Sequence, residues 1–147
     1  MHYNIELVKI KLPLSFNDQV APICLPSYGE SFEDGQMCLI SGWGATVDGG
    51  EASVSIHTAR VPLLSSRQGL GLTPWNICAG FSEGGAGTCQ GDSGGPLACQ
   101  GSGWTLVGAA SWAESCGQKN KPGIYTSTSK ALAWIQQQME KEEQQQH

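Results

Sequence analysis

Charged side chains are scarce in this sequence. Asp, Glu, Lys and Arg make up 14% of the 147 residues, and 13 acidic against 8 basic residues give a net charge of −5 at pH 7. A chain with no basic face is not expected to bind nucleic acid. No Cys-x-x-Cys spacing occurs among the six cysteines, which argues against a zinc site. We therefore expect no metal and no other cofactor.

Long apolar runs are missing as well. No segment has the length and apolar character of a transmembrane helix, and none has the pattern of a signal peptide. If the parent protein is secreted or membrane-anchored, its targeting segment is expected upstream of these residues. The six cysteines have turn and strand residues as neighbours, a pattern that suits an oxidising compartment.

Glycine, in contrast, is abundant. The sequence has 20 glycines and no long periodic segment except at its end, which indicates an all-β chain rich in turns. The length suffices for one domain with a modest core. The patterns predict strands over residues 1–12, 36–45, 54–64 (closed by Pro62), 77–81, 97–99, 104–112 and 123–126. From about Ser129 the pattern becomes helical, and the polar stretch 136–147 is expected to fray.

One glycine-rich stretch has the residues of a nucleophilic site. Residues 89–97 read Cys-Gln-Gly-Asp-Ser-Gly-Gly-Pro-Leu. Glycines at this density allow main-chain dihedral angles that other residues avoid, so that successive N–H groups can point into one small space. An oxyanion hole needs donors held in that way. Ser93 would be the nucleophile, with the N–H groups of Gly91 and Ser93 as the donors; the alternative is a surface turn with an ordinary serine.

These motifs resemble those of the trypsin-like (chymotrypsin-fold) serine proteases, and most closely the protease domains of membrane-anchored members. Besides the serine motif, the resemblance rests on Ala-Pro-Ile-Cys-Leu-Pro at 21–26, Ser-Gly-Trp-Gly at 41–44, Ile-Cys-Ala-Gly at 77–80 and Asn-Lys-Pro-Gly-Ile-Tyr at 120–125. The family domain is about twice as long as this chain. Residues 1–135 are therefore expected to be its C-terminal half, and residues 136–147 the end of a helix and a polar tail.

The resemblance implies the fold. It is an antiparallel Greek-key β-barrel with a C-terminal α-helix, the second barrel of a chymotrypsin-like domain. In the complete fold the active site lies between this barrel and the first. This chain alone would then expose an apolar face that is prone to association.

The resemblance also implies that the catalytic triad is incomplete. Asn4 stands where the family has its Asp, and in the triad an Asp→Asn change lowers kcat by about 10⁴ because it favours the wrong histidine tautomer. The alternative is that Asn4 is a polar residue at the start of a strand, with no role. No residue matches the catalytic histidine: His57 reads as an ordinary strand residue, and His2 and His147 have no supporting context.

The substrate pocket implied by the resemblance carries no fixed charge. Gly87 stands at the pocket-floor position where trypsin-like members have Asp, and the resemblance places the other pocket residues at Thr88, Ser111, Trp112, Ala113 and Gly123. Such a pocket is expected to prefer an uncharged, small-to-medium apolar side chain. Glu114 is read as an exposed charge at the rim.

Asp92 has a different role by resemblance. It matches the structural aspartate that pairs with a new N-terminus after activation cleavage, and the activation sequence is absent from this chain.

The cysteines fall into two sets. The resemblance implies the disulfides Cys38–Cys99 and Cys89–Cys116, although six cysteines alone allow many pairings. Segment 65–74 is shorter here than in the family and lacks the cysteine that usually pairs with Cys78. Cys78 is therefore expected to be unpaired. Cys24 is expected to be unpaired because its partner lies in a stem region outside this chain.

The family activity is peptide-bond hydrolysis through an acyl-enzyme on Ser93. This chain alone is expected to be inactive because it has Asn4 and no matching histidine. Two alternatives stay open: a protease-like pseudoenzyme or binding module, and a truncated splice product with unpaired thiols. The expected partners are a polypeptide substrate or protease inhibitor of an active parent form, and the missing N-terminal half-domain. An extracellular or cell-surface location is implied.

Overall fold

Six strands and one helix make up the regular structure of the described residues, which are 4–64 and 73–146 of this computed structural model. They are β1 (Met37–Gly42), β2 (His57–Leu64), β3 (Asn76–Ala79), β4 (Pro96–Gln100), β5 (Trp104–Ala113), β6 (Gly123–Ser127) and α1 (Thr128–Gln144). The strands form a closed antiparallel barrel in the order β1-β2-β3-β6-β5-β4. This confirms the predicted all-β barrel with a C-terminal helix.

The barrel is closed by the pairing of β1 with β4. Their register places Cys38 opposite Cys99 and Ile40 opposite Leu97. Side chains alternate between the two faces of a strand, so the inward positions of all six strands meet in one core. The core cluster is Cys38, Ile40, Val61, Leu63, Ala79, Leu97, Cys99, Val107, Ala110 and Tyr125. The disulfide Cys38–Cys99 lies within this core and links the two strands at the seam.

Strand β5 carries an irregularity that matters for the site. Its register with β6 shifts between Ala110 and Trp112, so that Ser111 has no direct partner there. Such bulges bend a strand locally and redirect its side chains. The bulge therefore sets the direction of Ser111 and Trp112 at the end of β5.

The helix α1 begins with a capped turn and packs on the barrel. The hydroxyl of Ser127 accepts a hydrogen bond from the N–H of Lys130. Its buried face includes Ala131, Leu132 and Ile135. None of the helical structure in the described residues has both the length and the apolar character required to cross a membrane.

The helix extends into the polar stretch 136–147, where the sequence predicts the end of a helix and a tail. It continues to Gln144, so most of this stretch is helical. Gln, Glu, Lys and Met are good helix formers, and they dominate this stretch. An ion pair between Lys9 and Glu142, at 3.0 Å, also joins the last turns to the N-terminal segment.

The predicted strand over residues 1–12 was also wrong. Residues 1–3 lie outside the described part, and residues 4–12 form no strand. The apolar residues of this alternation are not buried: Val8, for example, is 82% exposed. A strand needs a neighbouring strand for its main-chain hydrogen bonds. Among the described residues, no strand runs beside this segment.

Several strand limits also differ from those predicted. Strand β1 ends at Gly42, three residues before the predicted limit at 45, and β2 begins at His57 rather than at residue 54. Strand β2 continues past Pro62 to Leu64. Proline has no N–H to donate, but the carbonyl of Pro62 still accepts a hydrogen bond from Gly80 at 3.0 Å. Of the shortened segment 65–74, residues 65–72 lie outside the described part.

The two cysteines without a disulfide differ in environment. Cys24 is exposed, whereas Cys78 in β3 keeps 1% exposure. Burial raises the pKa of the Cys78 thiol to about 11 from 9.0. Since the thiolate is the reactive form, its fraction near pH 8 falls about 100-fold relative to the unfolded chain.

We therefore expect iodoacetamide to alkylate Cys24 in the native protein and to reach Cys78 only after unfolding. Mass spectrometry of peptides from native and denatured samples checks this. The expected ratio of Cys78 alkylation rates, denatured to native, is at least about 100. Equal rates at Cys24 and Cys78 in the native protein would contradict the burial of β3.

Candidate active site

Ser93 lies at the surface in a double turn between β3 and β4. The N–H of Asp92 donates to the carbonyl of Cys89 at 3.1 Å, and the N–H of Gly95 donates to the carbonyl of Asp92 at 2.8 Å. Gly91 has φ +92° and so adopts a conformation that residues with a Cβ rarely take. The glycine at position 91 therefore allows the main chain to make this turn.

Two hydrogen bonds tie the turn to β5. The N–H of Gly94 donates to the carbonyl of Ala110, and the N–H of Ala110 donates to the carbonyl of Gly95, both at 2.8 Å. Within the described residues, the N–H groups of Gly91 and Ser93 donate to no acceptor. Both predicted oxyanion donors are therefore unengaged in this turn.

The side chain of Asp92 lies against the end of β1 and the residues just after it. Its carboxylate accepts hydrogen bonds from the N–H groups of Gly44 (2.8 Å) and Cys89 (3.0 Å). A Cβ at Gly42 would lie 2.0 Å from an Asp92 oxygen, and one at Gly44 would lie 2.5 Å from its Cγ. The glycines of the Ser-Gly-Trp-Gly motif thus make room for this carboxylate. In the described part, main-chain N–H groups rather than a cation hold Asp92.

A cavity of about 190 Å³ opens beside Ser93. Four of the predicted pocket residues line it, namely Thr88, Ser111, Trp112 and Ala113. The lining also includes Asp48, Cys89, Gln90, Ala110, Ser115 and Cys116. The end of β5 and the turn before Ser93 therefore form the walls.

Two predicted pocket residues do not line this cavity. Gly87 lines a separate cavity of about 220 Å³, which it shares with Asp92. Gly123 lies behind Thr88, because a Cβ at Gly123 would stand 2.6 Å from the Thr88 hydroxyl and 3.0 Å from the Tyr125 hydroxyl. The polar side chain of Thr88 takes the lining position in front of Gly123.

A larger cleft of about 980 Å³ also borders Ser93 and is lined in part by Asn4, Glu6, Ser93, Ser111 and Trp134. The amide of Asn4 donates to the hydroxyl of Ser111, and the hydroxyl of Thr126 donates to the main-chain carbonyl of Asn4 at 3.0 Å. Asn4 has φ +50°, which asparagine tolerates better than most residues. Asn4 and Ser93 are thus brought to one cleft from positions far apart in the sequence.

A family model described as Trypsin matches residues 1–135. The chain belongs to the trypsin family. The match covers the barrel, the serine turn and the first half of α1. The chain is therefore a serine-protease relative by descent, and the closed barrel is consistent with one barrel of a chymotrypsin-like fold.

Asp48 is a residue of this trypsin-family site that the sequence did not reveal. It lies in the loop between β1 and β2 and contacts the loop after β5. Its carboxylate accepts hydrogen bonds from the Ser115 hydroxyl, from the N–H of Cys116 (2.9 Å) and from the Gln118 amide (3.1 Å). The bond from Ser115, followed by that from Cys116, lowers the pKa of Asp48 below its usual value. The expectation of a pocket without a fixed charge is corrected, because this carboxylate lines the cavity beside Ser93.

The disulfide Cys89–Cys116 links the serine turn to the loop after β5. Both disulfides are the pairs that the trypsin-family resemblance implied. An oxygen of Asp48 and both sulfur atoms lie within 4.8 Å of one another. Because these sulfurs are bonded to each other, they are not thiolate ligands, and the group does not suit a metal ion.

The histidine that the structure describes, His57, is not placed to act on Ser93. It begins β2, lines the cavity shared by Asp92 and Gly87, and its Nε2 lies 3.0 Å from the Ser53 hydroxyl. It lines neither of the two cavities that border Ser93. His2 and His147 fall outside the described residues.

Proposed function

We propose that this chain carries the nucleophile side of a serine endopeptidase site and is inactive without a base supplied from elsewhere. The supporting observation is the arrangement around Ser93. Ser93 is exposed and lines two cavities, the N–H groups of Gly91 and Ser93 are unengaged in the described part, and Asn4 lines one of the same cavities. This arrangement supports an acyl-transfer site that lacks its acid–base group.

The proposed chemistry requires one proton acceptor. The Oγ of Ser93 attacks the peptide carbonyl carbon while a base removes its proton, and the oxygen that becomes negative is held by the two N–H groups. The C–N bond then breaks as the base returns the proton to the leaving amine. Water hydrolyses the resulting ester by the same route and regenerates Ser93.

The base is proposed to come from an N-terminal half-domain packed over the cleft, with these residues as the C-terminal half. The cleft of about 980 Å³ offers the space. The exposed apolar side chains of the N-terminal segment, among them Val8, Leu12 and Phe16, offer a surface for that contact.

Asn4 weakens the proposed site even when a base is present. Its amide donates to Ser111, whereas a carboxylate at this position would orient the base and stabilise its protonated form. Replacement of the triad carboxylate by an amide lowers kcat by about 10⁴. A form that contains the histidine is therefore expected to be a slow enzyme.

Exogenous imidazole should make Ser93 reactive. We expect a fluorophosphonate probe to label Ser93 slowly in the chain alone and about tenfold faster or more with added imidazole, because imidazole can enter the open cleft and act as the base. Labelling rates measured by mass spectrometry, with and without imidazole, check this. Ser93→Ala should abolish the imidazole-dependent labelling, and Ser102→Ala, at an exposed serine between β4 and β5, should leave it unchanged.

Three other results would contradict parts of the proposal. Fast labelling of Ser93 without imidazole would show that the chain already has its base. No labelling at any imidazole concentration, in a sample that circular dichroism shows to be folded, would favour a pseudoenzyme or binding module. No labelling in an unfolded sample would favour a truncated product that does not fold.

The binding-module candidate is supported by Asn4, an uncharged amide at the position where the resemblance expects the triad carboxylate; its side chain donates a hydrogen bond to the Ser111 hydroxyl. Its ligand would be a protease inhibitor or a polypeptide that occupies the cavities beside Ser93. The two disulfides suit an extracellular or cell-surface location. A membrane-anchored parent would provide a partner for the exposed thiol of Cys24.

A further inference from the structure

We propose that Asp48 is a specificity-determining residue of the cavity beside Ser93 and selects a cationic group there. This inference rests on the proposed function, in which that cavity receives a substrate side chain. The charge comes from the loop between β1 and β2. The pocket-floor position implied by the family resemblance is occupied here by Gly87, which lines a different cavity.

The position of Asp48 is the first support. It lines the cavity of about 190 Å³ together with Ser93 and Trp112. One of its carboxylate oxygens lies within 4.8 Å of the sulfurs of Cys89 and Cys116, whose residues line the same cavity. A hydrogen bond from Gly50 to the carbonyl of Val47, at 3.0 Å, closes the turn that presents Asp48.

The hydrogen bonds of Asp48 are the second support. The Ser115 hydroxyl and the Gln118 amide donate to Oδ2, and the N–H of Cys116 donates to Oδ1. These bonds fix the side chain and lower its pKa, so the group is an anion at neutral pH. A carboxylate offers about four acceptor positions, and three are used. The remaining position on Oδ1 can accept a hydrogen bond from a cationic ligand.

The charges around the cavity are the third support. No Lys or Arg is among the residues described as lining it, so no cation from the lining neutralises Asp48. The neighbouring Glu114 forms an ion pair with Lys121, and Glu83 pairs with Lys119. Unlike these two glutamates, Asp48 is held by neutral hydrogen-bond donors, and it lines the cavity.

The test compares a cationic and a neutral probe of nearly the same shape, benzamidinium and benzamide. Their dissociation constants are measured by NMR titration of the full chain and of its Asp48→Asn variant. We expect Asp48→Asn to weaken benzamidinium about tenfold or more, the size of a lost charge-assisted hydrogen bond, and to leave benzamide within about twofold. Asp18→Asn, at an exposed aspartate far from the cavity in sequence, removes the same charge and should change neither constant.

Several results would overturn the proposal. An equal loss for both probes in Asp48→Asn would show that Asp48 only holds the loop of Ser115 and Cys116 in place. Benzamidinium binding that is unchanged in the variant would show that the carboxylate does not recognise cations. Wild-type protein that binds benzamidinium no more tightly than benzamide would also refute it.

A second measurement keeps the test valid if Asp48→Asn does not fold. In the wild-type chain, added NaCl should weaken benzamidinium binding and not benzamide binding, because only the former depends on charge.

Probe binding at Asp48 does not require an activated serine, so it is independent of the labelling experiment at Ser93. Failure of imidazole-dependent labelling at Ser93 would therefore count against the proposed function without deciding the role of Asp48. Loss of the charge preference in probe binding would count against the role of Asp48 without deciding the proposed function.

Discussion

Replacing Cys38 and Cys99 together by alanine should lower the free energy of unfolding by about 4 kcal/mol. The disulfide closes a loop with a sequence separation of 61 residues, and the loss of chain entropy in the unfolded state grows with loop length. Both residues are almost fully buried, at 2% and 1% exposure. They also sit opposite each other where β1 and β4 close the barrel, so the bond holds the seam of the sheet.

Denaturant unfolding followed by tryptophan fluorescence measures this change. Cys24→Ala is the matched control, since it removes an exposed cysteine that forms no disulfide, and its midpoint should match the wild type. The pair Cys89 and Cys116, with a sequence separation of 27 residues, should cost about 3.5 kcal/mol by the same relation. A Cys38/Cys99 variant as stable as the wild type would refute the role assigned to the seam.

Gly44→Ala should destabilise the chain by about 3 kcal/mol and disrupt the turn that presents Ser93. A Cβ at Gly44 would lie 2.5 Å from both Cγ and Oδ1 of Asp92 and 2.7 Å from its Oδ2. The carboxylate would have to rotate away and lose its hydrogen bonds from Gly44 and Cys89. Hydrogen bonds to a charged group contribute about 1.5–3 kcal/mol each, so this loss is larger than that of ordinary surface substitutions.

A double-mutant cycle with Asp92→Ala isolates the cause. If the clash with the carboxylate explains the loss, Gly44→Ala should cost much less in the Asp92→Ala background than in the wild type. Gly103→Ala is the control, because a Cβ there meets no atom within 4 Å. Additive losses in the cycle would show that Gly44 matters for a reason other than the space it leaves for Asp92. The imidazole-dependent labelling of Ser93 should fall in Gly44→Ala as well.

The positions of the barrel strands could be predicted from the sequence because they depend on local patterns of side chains. Strands β1 to β6 were found within a few residues, since each has alternating or apolar side chains between turn residues. The N-terminal segment shows the limit of that reasoning. It has the same apolar alternation, but Val8 stays 82% exposed and no described strand pairs with it. A pattern of side chains shows that a strand is feasible, whereas pairing requires a neighbour.

The candidate site divides in the same way. Ser93 and its glycines could be found from sequence because the turn is local and the residue types are forced by its dihedral angles. The sequence did not reveal Asp48, which contacts residues 67 to 70 positions away in a loop with no distinctive pattern. Gly87 and Gly123 were placed in the pocket by resemblance, but Gly87 lines a different cavity and the side chain of Thr88 lies against Gly123.

The sequence by itself determined the family, the serine turn and the all-β character of this protein, because these depend on short strings of residues and on composition. Only the tertiary structure decided which side chains meet. The barrel brings Asn4 to Ser111, Asp48 to Ser115 and Cys116, and Asp92 into the space above two glycines. Contacts between distant residues are set by the register of the strands and the paths of the loops. These depend on how the whole chain packs and not on any local pattern.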